Sequence, residues 1–342
     1  MKIVVLAGGI STEREVSLVS GREVYRALKQ RGHTVVLLDV YLGLPGADPD
    51  AVFSMDRDWT EGIKDIGEES PEDLEKIKAQ RSDGDRFFLG PNVLKICRRA
   101  DVVFMALHGV GGEDGRLQAM FELNGIPYTG TDHVSSTLCI DKCLSRAVMT
   151  VAGIPVPPGM ELYPGEEPEG VEYPAVVKAA NGGSTVGTYF VENDEELKEA
   201  IKKASKLDVH IVIEKRIKGR EFTCGLLDGK ALPPVEIIPN SGTYDYRNKY
   251  QAGRTNEICP APLSPEKTAE LQALAEKAWK ALRLSVYARL DFMMDEDENF
   301  YCLEGNTIPG MTPTSLIPQE AAAIGMDFAT LCEKLIEVSM RR

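Results

Sequence analysis

The sequence of 342 residues lacks the features that define several large protein classes. No apolar run approaches the roughly 18 residues that a membrane-spanning helix needs, and residues 1–9 form too short an apolar run for a signal peptide. Basic residues are few: 39 Lys and Arg stand against 53 Asp and Glu, a net charge of −14. This balance argues against nucleic-acid and membrane partners, and an anionic substrate would need positive charge gathered locally.

Cysteine pairs and two nucleotide-binding motifs are also missing. The seven cysteines include no CxxC pair, which predicts reduced thiols and, with the missing signal peptide, a cytoplasmic protein. The turn after the first strand lacks GxGxxG, and GxxxxGK[ST] does not occur, so neither a dinucleotide-binding motif nor a Walker-type NTPase is supported. Length predicts two or three domains, and 43% hydrophobic residues are enough for packed cores.

A hairpin near the C-terminal end carries the most informative polar residues. Two strands joined by an acidic four-residue turn are predicted by the stretch VYARLDFMMDEDENFYCLEGN. Because strand side chains alternate between faces, the favoured register sets Asp291 opposite Glu304. The same register sets Arg289 opposite Asn306. This face offers the oxygen ligands of a Mg²⁺ site, although a salt-bridged, solvated sheet face is the alternative.

The first half of the chain alternates strands and helices. Strands are predicted at 2–7, 34–40 and 101–107, and helices at 12–30, 71–80 and 116–124. This order predicts a parallel sheet whose ligand surface lies at the strand C-termini, where residues 8–9 and His108 fall. A lone histidine is more often structural than catalytic. Thr12 and Glu15 have capping-box spacing, so Glu13 between them can be an ordinary first-turn acid.

The second half has a different organisation. Helices are predicted at 134–151, 195–204, 264–282 and 327–339, and strands at 175–178, 187–191, 210–217, 221–227 and 230–238. Residues 179–186 form a glycine-rich connection beside Lys178, which predicts either a phosphate-binding loop or a hairpin tip. The polar segment 239–261 is long and has no periodic pattern, which favours a lid over a disordered segment.

Ordered motifs make the chain resemble a D-alanine–D-alanine ligase of the ATP-grasp superfamily. They are LAGGISTEREVSL at 6–18, ALHGVGGEDG at 106–115, IPYTGT with DK at 126–142, VK and GGSTVG at 178–187, IEKRIKGREFT at 213–223, the tyrosine-rich loop at 243–250, ARLDFM at 288–293 and LEGNTIPGMTPTSL at 303–316. The resemblance covers nearly the whole chain, apart from 43–90. Two departures stand out: Ala179 replaces the family's usual proline, and Gly305 turns the usual EANT or EVNT into EGNT.

The resemblance implies a fold, a reaction and cofactors. The fold is an α/β one with α+β parts, in three domains: a parallel-sheet substrate domain at 1–130, a small central domain at 131–213 and an antiparallel-sheet domain at 214–342. ATP would phosphorylate the carboxylate of one D-alanine, and the amine of a second would displace phosphate, giving D-alanyl-D-alanine for peptidoglycan synthesis. The implied cofactors are ATP and two Mg²⁺ ions, with Mn²⁺ as a substitute, and the implied assembly is a homodimer.

The resemblance also assigns site residues. The ATP-binding set is Lys142, Lys178, Gly183, Glu214, Lys215, Ile217 and Glu221, and the metal ligands are Asp291, Glu304 and Asn306. The catalytic set is Glu13, Ser184, Tyr250, Arg289 and Gly310, and substrate binding falls to His108, Lys249, Ser315 and Leu316. Arg289 and the Gly310 N–H are the implied oxyanion donors. A lid at 240–258 would shield the acyl phosphate from water.

Two other functions stay open at this point. A sister ATP-grasp enzyme would join other carboxylates to amines or hydroxyls, with D-lactate or D-serine among the second substrates. A non-catalytic nucleotide or amino-acid sensor would bind ligand without releasing ADP. The complete set of Asp291, Glu304 and Asn306 argues against the sensor.

Overall fold

The computed structural model describes residues 1–65, 71–81, 87–181, 187–240 and 255–342. The chain forms two compact units, here called the first and second units. The first unit comprises Met1–Val134, Ser285–Ala288 and Thr307–Arg342, and the second comprises Ser135–Leu284 and Arg289–Asn306. The predicted division into three domains is a finer one, and it stays a prediction.

A parallel sheet forms the centre of the first unit, as predicted. Its strands are β1 (Lys2–Ala7), β2 (Thr34–Asp39) and β3 (Val102–Met105), in the order β2-β1-β3, and both β1 pairings are parallel. Residues 3–7 and all of β3 are almost completely buried, which explains why these strands are continuous apolar runs.

The first unit also contains helices. They are α1 (Arg14–Gln30), α2 (Pro71–Ala79), α3 (Val93–Cys97), α4 (Arg116–Leu123), α9 (Leu316–Ala323) and α10 (Phe328–Ser339). The pattern did not predict α9. The predicted capping box is wrong, because the N-cap of α1 is Glu13 and its side chain makes no capping hydrogen bond. The Arg14 N–H donates to the Ser11 carbonyl at 3.1 Å, so the chain turns before the helix and Thr12 lies outside it.

The second unit begins with a broken helix and a four-stranded antiparallel sheet. The sheet order is β4-β7-β5-β6, from β4 (Gly159–Leu162), β5 (Ala175–Ala179), β6 (Thr188–Val191) and β7 (Ile211–Lys215), with α7 (Asp194–Ala204) following β6. The single predicted helix at 134–151 is instead two, α5 (His133–Ile140) and α6 (Lys142–Val151). Asp141 separates them because its extended backbone leaves the helix and its side chain caps α6.

A second sheet in this unit carries the predicted hairpin. Its order is β11-β10-β8-β12-β13, from β8 (Gly219–Leu227), β10 (Val235–Pro239), β11 (Thr255–Ile258), β12 (Tyr287–Asp295) and β13 (Phe300–Asn306), while β9 (Lys230–Ala231) pairs with β8 and α8 (Pro265–Ala281) follows β11. The prediction that 239–261 has no regular structure is therefore wrong in part, because Thr255–Ile258 pairs antiparallel with β10. No helix in the described ranges is long and apolar enough to cross a membrane.

Candidate active site

The hairpin β12–β13 brings the predicted metal-binding carboxylates opposite each other. Asp291 pairs with Glu304, and Arg289 pairs with Asn306, as the strand alternation predicted. Both pairs lie near the C-terminal end of β13, just before the chain leaves the sheet.

The turn of this hairpin differs from the prediction. The Asp295 N–H donates to the Asn299 carbonyl at 3.0 Å, so the loop holds three residues instead of four. Glu298 adopts a left-handed φ of 60°, which is how a three-residue hairpin loop closes. A β-bulge next to Asp291 then shifts the pairing by one residue and gives Glu304 the predicted partner.

Asp291 accepts four hydrogen bonds from residues that the structure describes. Its Oδ1 accepts from Thr223 Oγ1 at 2.7 Å and from Arg289 Nε at 2.8 Å. Its Oδ2 accepts from Arg289 Nη2 and from Asn306 Nδ2, both at 2.9 Å. Thr223, fully buried on β8, was not predicted, because only sheet pairing brings it to a residue 68 positions away.

The donor set suits a hard divalent cation. Asp291 and Glu304 supply carboxylate oxygens, and Asn306 keeps its amide oxygen as an acceptor because its Nδ2 faces Asp291. Within the described residues, no group of three or more His, Cys, Asp and Glu side chains could hold a metal ion, so a site here would combine two carboxylates with the amide. These residues fit Mg²⁺, provided that Asp291 releases one of its donors.

Lys142 lies beside Glu304. Its Nζ is 3.5 Å from Glu304 Oε2, and it is the first residue of α6. Asp141 fixes that helix start by accepting hydrogen bonds from the Cys143 and Leu144 N–H groups. The helix break therefore places Lys142 at a helix N-terminus, where backbone N–H groups favour anions.

A second ion cluster joins two sheet strands to α6. Glu214 is buried and pairs with Lys178 at 2.6 Å and with Arg146 at 3.0 Å. Burial works to lower the pKa of the Lys178 ammonium, but the charge and hydrogen bond of Glu214 outweigh it, so that pKa is raised. Arg146 was not predicted, although it stands one helical turn after Lys142 and thus on the same face of α6.

The remaining described ATP-binding candidates follow Glu214 along the chain. Lys215 is half exposed at its side chain, and its backbone N–H donates to the Pro158 carbonyl at 2.7 Å. Ile217 lies just after β7, and Glu221 lies on β8, where it pairs with Ile237. Their assignment to adenine and ribose stays a prediction.

The first unit gathers some of the predicted substrate residues around its loops. Glu13 and His108 are both buried, and Glu13 lies next to Gly109. His108 Nδ1 lies 3.0 Å from the Ile308 carbonyl oxygen. Glu113, which the sequence analysis missed, accepts from the Gly109 N–H at 2.8 Å and from the Ile308 N–H at 3.3 Å. This carboxylate therefore ties the loop at His108 to the loop after β13.

Gly310, Ser315 and Leu316 are close to one another in the first unit. A methyl group at Gly310 would come within 2.9 Å of Ser315 Oγ, so the backbone of Gly310 approaches this hydroxyl closely. Ser315 Oγ also accepts from the Thr312 N–H at 3.1 Å, and Leu316 begins α9.

Four predicted site residues lie outside the described ranges: Gly183, Ser184, Lys249 and Tyr250. Most of the predicted lid, 241–254, lies outside them too.

A parallel sheet in one unit and two antiparallel sheets with a lysine and carboxylate site in the other define an ATP-grasp fold. Family models described as D-ala D-ala ligase N-terminus and C-terminus match residues 2–131 and 159–337. The chain belongs to the D-alanine–D-alanine ligase family.

Full-length relatives and solved structures agree with this. A D-alanine–D-alanine ligase of Pediococcus pentosaceus is 39% identical, over 98% of this chain and 97% of that one. That of Lacticaseibacillus casei is 38% identical, over 100% and 96%. The Bacillus anthracis enzyme complexed with ATP matches with a TM-score of 0.75 at 29% identity, over 100% and 98% of the chains. The VanG D-Ala:D-Ser ligase of Enterococcus faecalis gives 0.76 at 29% identity, over 99% of each.

Proposed function

We propose that this protein joins two D-alanine molecules to D-alanyl-D-alanine while converting ATP to ADP and phosphate, for peptidoglycan synthesis. In the first step, a carboxylate oxygen of one D-alanine takes the γ-phosphoryl group and ADP leaves. In the second step, the amine of the other D-alanine attacks the acyl phosphate, the C–O bond to phosphate breaks, and the amine loses a proton.

One observation carries this proposal: a face of the second unit gathers cations and carboxylates at short range. Phosphoryl transfer needs positioning and charge neutralisation more than covalent chemistry. Two lysines lie beside carboxylates here, although the chain has a net charge of −14. Lys142 Nζ is 3.5 Å from Glu304 Oε2, and Lys178 Nζ is 2.6 Å from Glu214 Oε2. We assign these two lysines to the phosphates of ATP.

The metal site is part of the proposal. Asp291, Glu304 and Asn306 would hold Mg²⁺, which would neutralise phosphate charge when bound. Arg289 donates two N–H groups to the carboxylate oxygens of Asp291. Such donors equally suit the oxyanion formed in the second step.

The residues of the first unit are proposed to bind D-alanine. The buried carboxylate of Glu13 suits an ammonium group, and the Gly310 N–H and Ser315 hydroxyl suit a carboxylate or oxyanion. His108 and Leu316 complete this set among the described residues. Lys249, Tyr250, Gly183 and Ser184 keep the roles that the family resemblance gives them.

Three further features are proposed. The chain has the three domains predicted from the sequence, at 1–130, 131–213 and 214–342, and it acts as a homodimer. It works in the cytoplasm, because it uses ATP and because all seven of its cysteines are free thiols.

Phosphate release from ATP tests the reaction, measured with D-alanine, with L-alanine and without amino acid. We expect release only with D-alanine, accompanied by the dipeptide in mass spectra. Glu304→Gln keeps the size and shape of the side chain but removes one anionic ligand, so we expect most activity to be lost. Release that does not depend on D-alanine would contradict the proposal, and normal turnover of Glu304→Gln at limiting Mg²⁺ would remove this residue from the metal site.

A ligase that uses D-serine as its second substrate is the alternative, because the fold matches the VanG D-Ala:D-Ser ligase as well as the D-alanine enzyme. Competition between D-alanine, D-serine and D-lactate for the second position, read by product masses, separates these activities.

A further inference from the structure

The hydrogen bonds at Asp291 bear on how a cation could reach it. An ionised carboxylate has about four lone-pair positions. Here Oδ1 accepts from Thr223 and Arg289, and Oδ2 accepts from Arg289 and Asn306, at 2.7–2.9 Å. All four positions are therefore taken by donors of this chain, and a metal ion at Asp291 must displace at least one of them.

The three donating residues differ in how easily they can leave. Thr223 is fully buried on a short, β-branched side chain, and the other acceptor near its hydroxyl is the Leu290 carbonyl at 3.3 Å. Asn306 has a short side chain on the paired strand. Arg289 has a long side chain with several rotatable bonds. It is also the only one of these three residues whose positive charge repels an arriving cation.

We propose that Arg289 is an exchangeable counter-ion of Asp291. A divalent cation and the guanidinium compete for this carboxylate, while Thr223 and Asn306 hold it in place during the exchange. The proposal rests on the metal site proposed above. It also gives Arg289 two successive partners, because the N–H donors that leave Asp291 become available to a substrate oxyanion.

Direct Mn²⁺ binding tests this exchange, using electron paramagnetic resonance on the full chain with saturating ADP. In Arg289→Met the competing donor is gone, so we expect the Kd for Mn²⁺ to fall about tenfold. In Thr223→Val the carboxylate loses its fixed support, so we expect the Kd to rise about tenfold or more, the usual effect of removing an outer partner of a metal ligand. The two variants thus change the Kd for Mn²⁺ in opposite directions.

Matched variants separate competition from net charge and from misfolding. Arg216→Met removes an equal charge from the second unit, and the ion pair of Arg216 is with Glu192, so we expect an unchanged Kd. Thr223→Ser keeps the hydroxyl, so we expect a Kd close to that of the wild type. Urea unfolding of each variant checks that the fold is retained.

The outcomes distinguish this inference from the metal site on which it rests. Unchanged or weaker Mn²⁺ binding by Arg289→Met, or equal tightening by Arg216→Met, would overturn the exchange. Failure of the metal site looks different: wild type and Glu304→Gln would then bind Mn²⁺ equally. Tightening in Arg289→Met together with weakening in Thr223→Val and Glu304→Gln supports both.

Discussion

A methyl group has room at Gly305, one of the two departures from the family pattern. An added Cβ would lie 3.6 Å from both Cys139 Sγ and Leu282 Cδ1 and 3.8 Å from Leu290 Cδ2, all ordinary contact distances. The residue lies in β13 without a left-handed φ, so alanine costs no strain there and reduces the entropy of the unfolded chain. We expect Gly305→Ala to raise the free energy of unfolding by about 0.5–1 kcal/mol, measured by urea denaturation.

Gly219 is a contrasting position for this substitution. It also lies in a strand of the same sheet, but its φ of 152° is one that side chains rarely adopt, and an added Cβ would overlap the Met294 carbonyl oxygen. We expect Gly219→Ala to lower the denaturation midpoint. If Gly305→Ala lowered it as well, the space beside Cys139 would be smaller than these distances indicate.

The other departure, Ala179, has a backbone role. Its N–H donates to the Gly187 carbonyl at 3.0 Å, and the family's usual proline has no N–H for that bond. Here the departure fits the local hydrogen bonding.

Single residues of the site divide into those that a pattern can predict and those that it cannot. Asp291 and Glu304 were predictable because they share one hairpin, whose register follows from strand alternation. Thr223 and Glu113 were not, because each meets its partner through distant parts of the chain. Buried hydrogen bonds of this kind leave no periodic trace in a sequence.

At the scale of elements, the hairpin shows how a correct prediction can rest on a wrong detail. The loop is one residue shorter than predicted, and the bulge compensates for it. Neither the loop length nor the bulge can be predicted from composition. The short loop needs Glu298 to adopt a left-handed backbone, which other residue types favour more. The break between α5 and α6 is similar: Asp141 could have continued the helix, and its capping role appears only in three dimensions.

Asp295 fixes this loop, and its contribution should depend on pH. Its carboxylate accepts from the Asn299 N–H at 2.8 Å and from the Asp297 N–H at 3.0 Å. The Asn299 backbone bond is the main reason why the pKa of Asp295 is lowered. A lowered pKa adds stability above the unfolded value of about 3.9, and that stability is lost as the pH falls through the folded value. We expect Asp295→Ala to lower the melting temperature at pH 7, and the deficit to shrink towards pH 3.

Asp295→Asn serves as the control, because it keeps an acceptor oxygen but has no titrating carboxylate. Its difference from alanine should stay constant with pH. A deficit of Asp295→Ala that is equally large at pH 3 and pH 7 would show that the charge of Asp295 does not stabilise the loop.

For the whole molecule, the net charge and the local charge at the candidate site have opposite character. The chain carries a net charge of −14, yet four cationic side chains lie within one unit beside carboxylates, of which Glu214 and Asp291 are buried. These cations are Lys142, Arg146, Lys178 and Arg289. Composition alone predicted only that binding an anionic substrate would need positive side chains clustered at one place. The parallel sheet was predictable from buried strand runs, whereas the partners of these cations required the fold.

The distribution of thiols is a property of the whole chain as well, and it predicts their reactivity. All seven cysteines are free; six are buried, and only Cys259 is partly exposed. Burial raises the pKa of Cys97 to about 12, and burial with the nearby charges of Glu161 and Asp141 raises that of Cys143 to about 12. Because the thiolate is the reactive form, these thiols should be inert in the folded protein.

We therefore expect Ellman's reagent at pH 8 to modify at most one thiol rapidly in the native protein and all seven after denaturation in guanidinium. The rapid phase should disappear in Cys259→Ser, whereas Cys97→Ser should leave it unchanged, because Cys97 is completely buried. Treatment with a reductant that is removed before the assay should not change the native count, since the thiols are already free. Two or more rapid thiols in the native protein would mean that a buried cysteine becomes accessible through local opening. Single Cys→Ser variants at the buried positions would then identify it, because the variant at that position loses one rapid thiol.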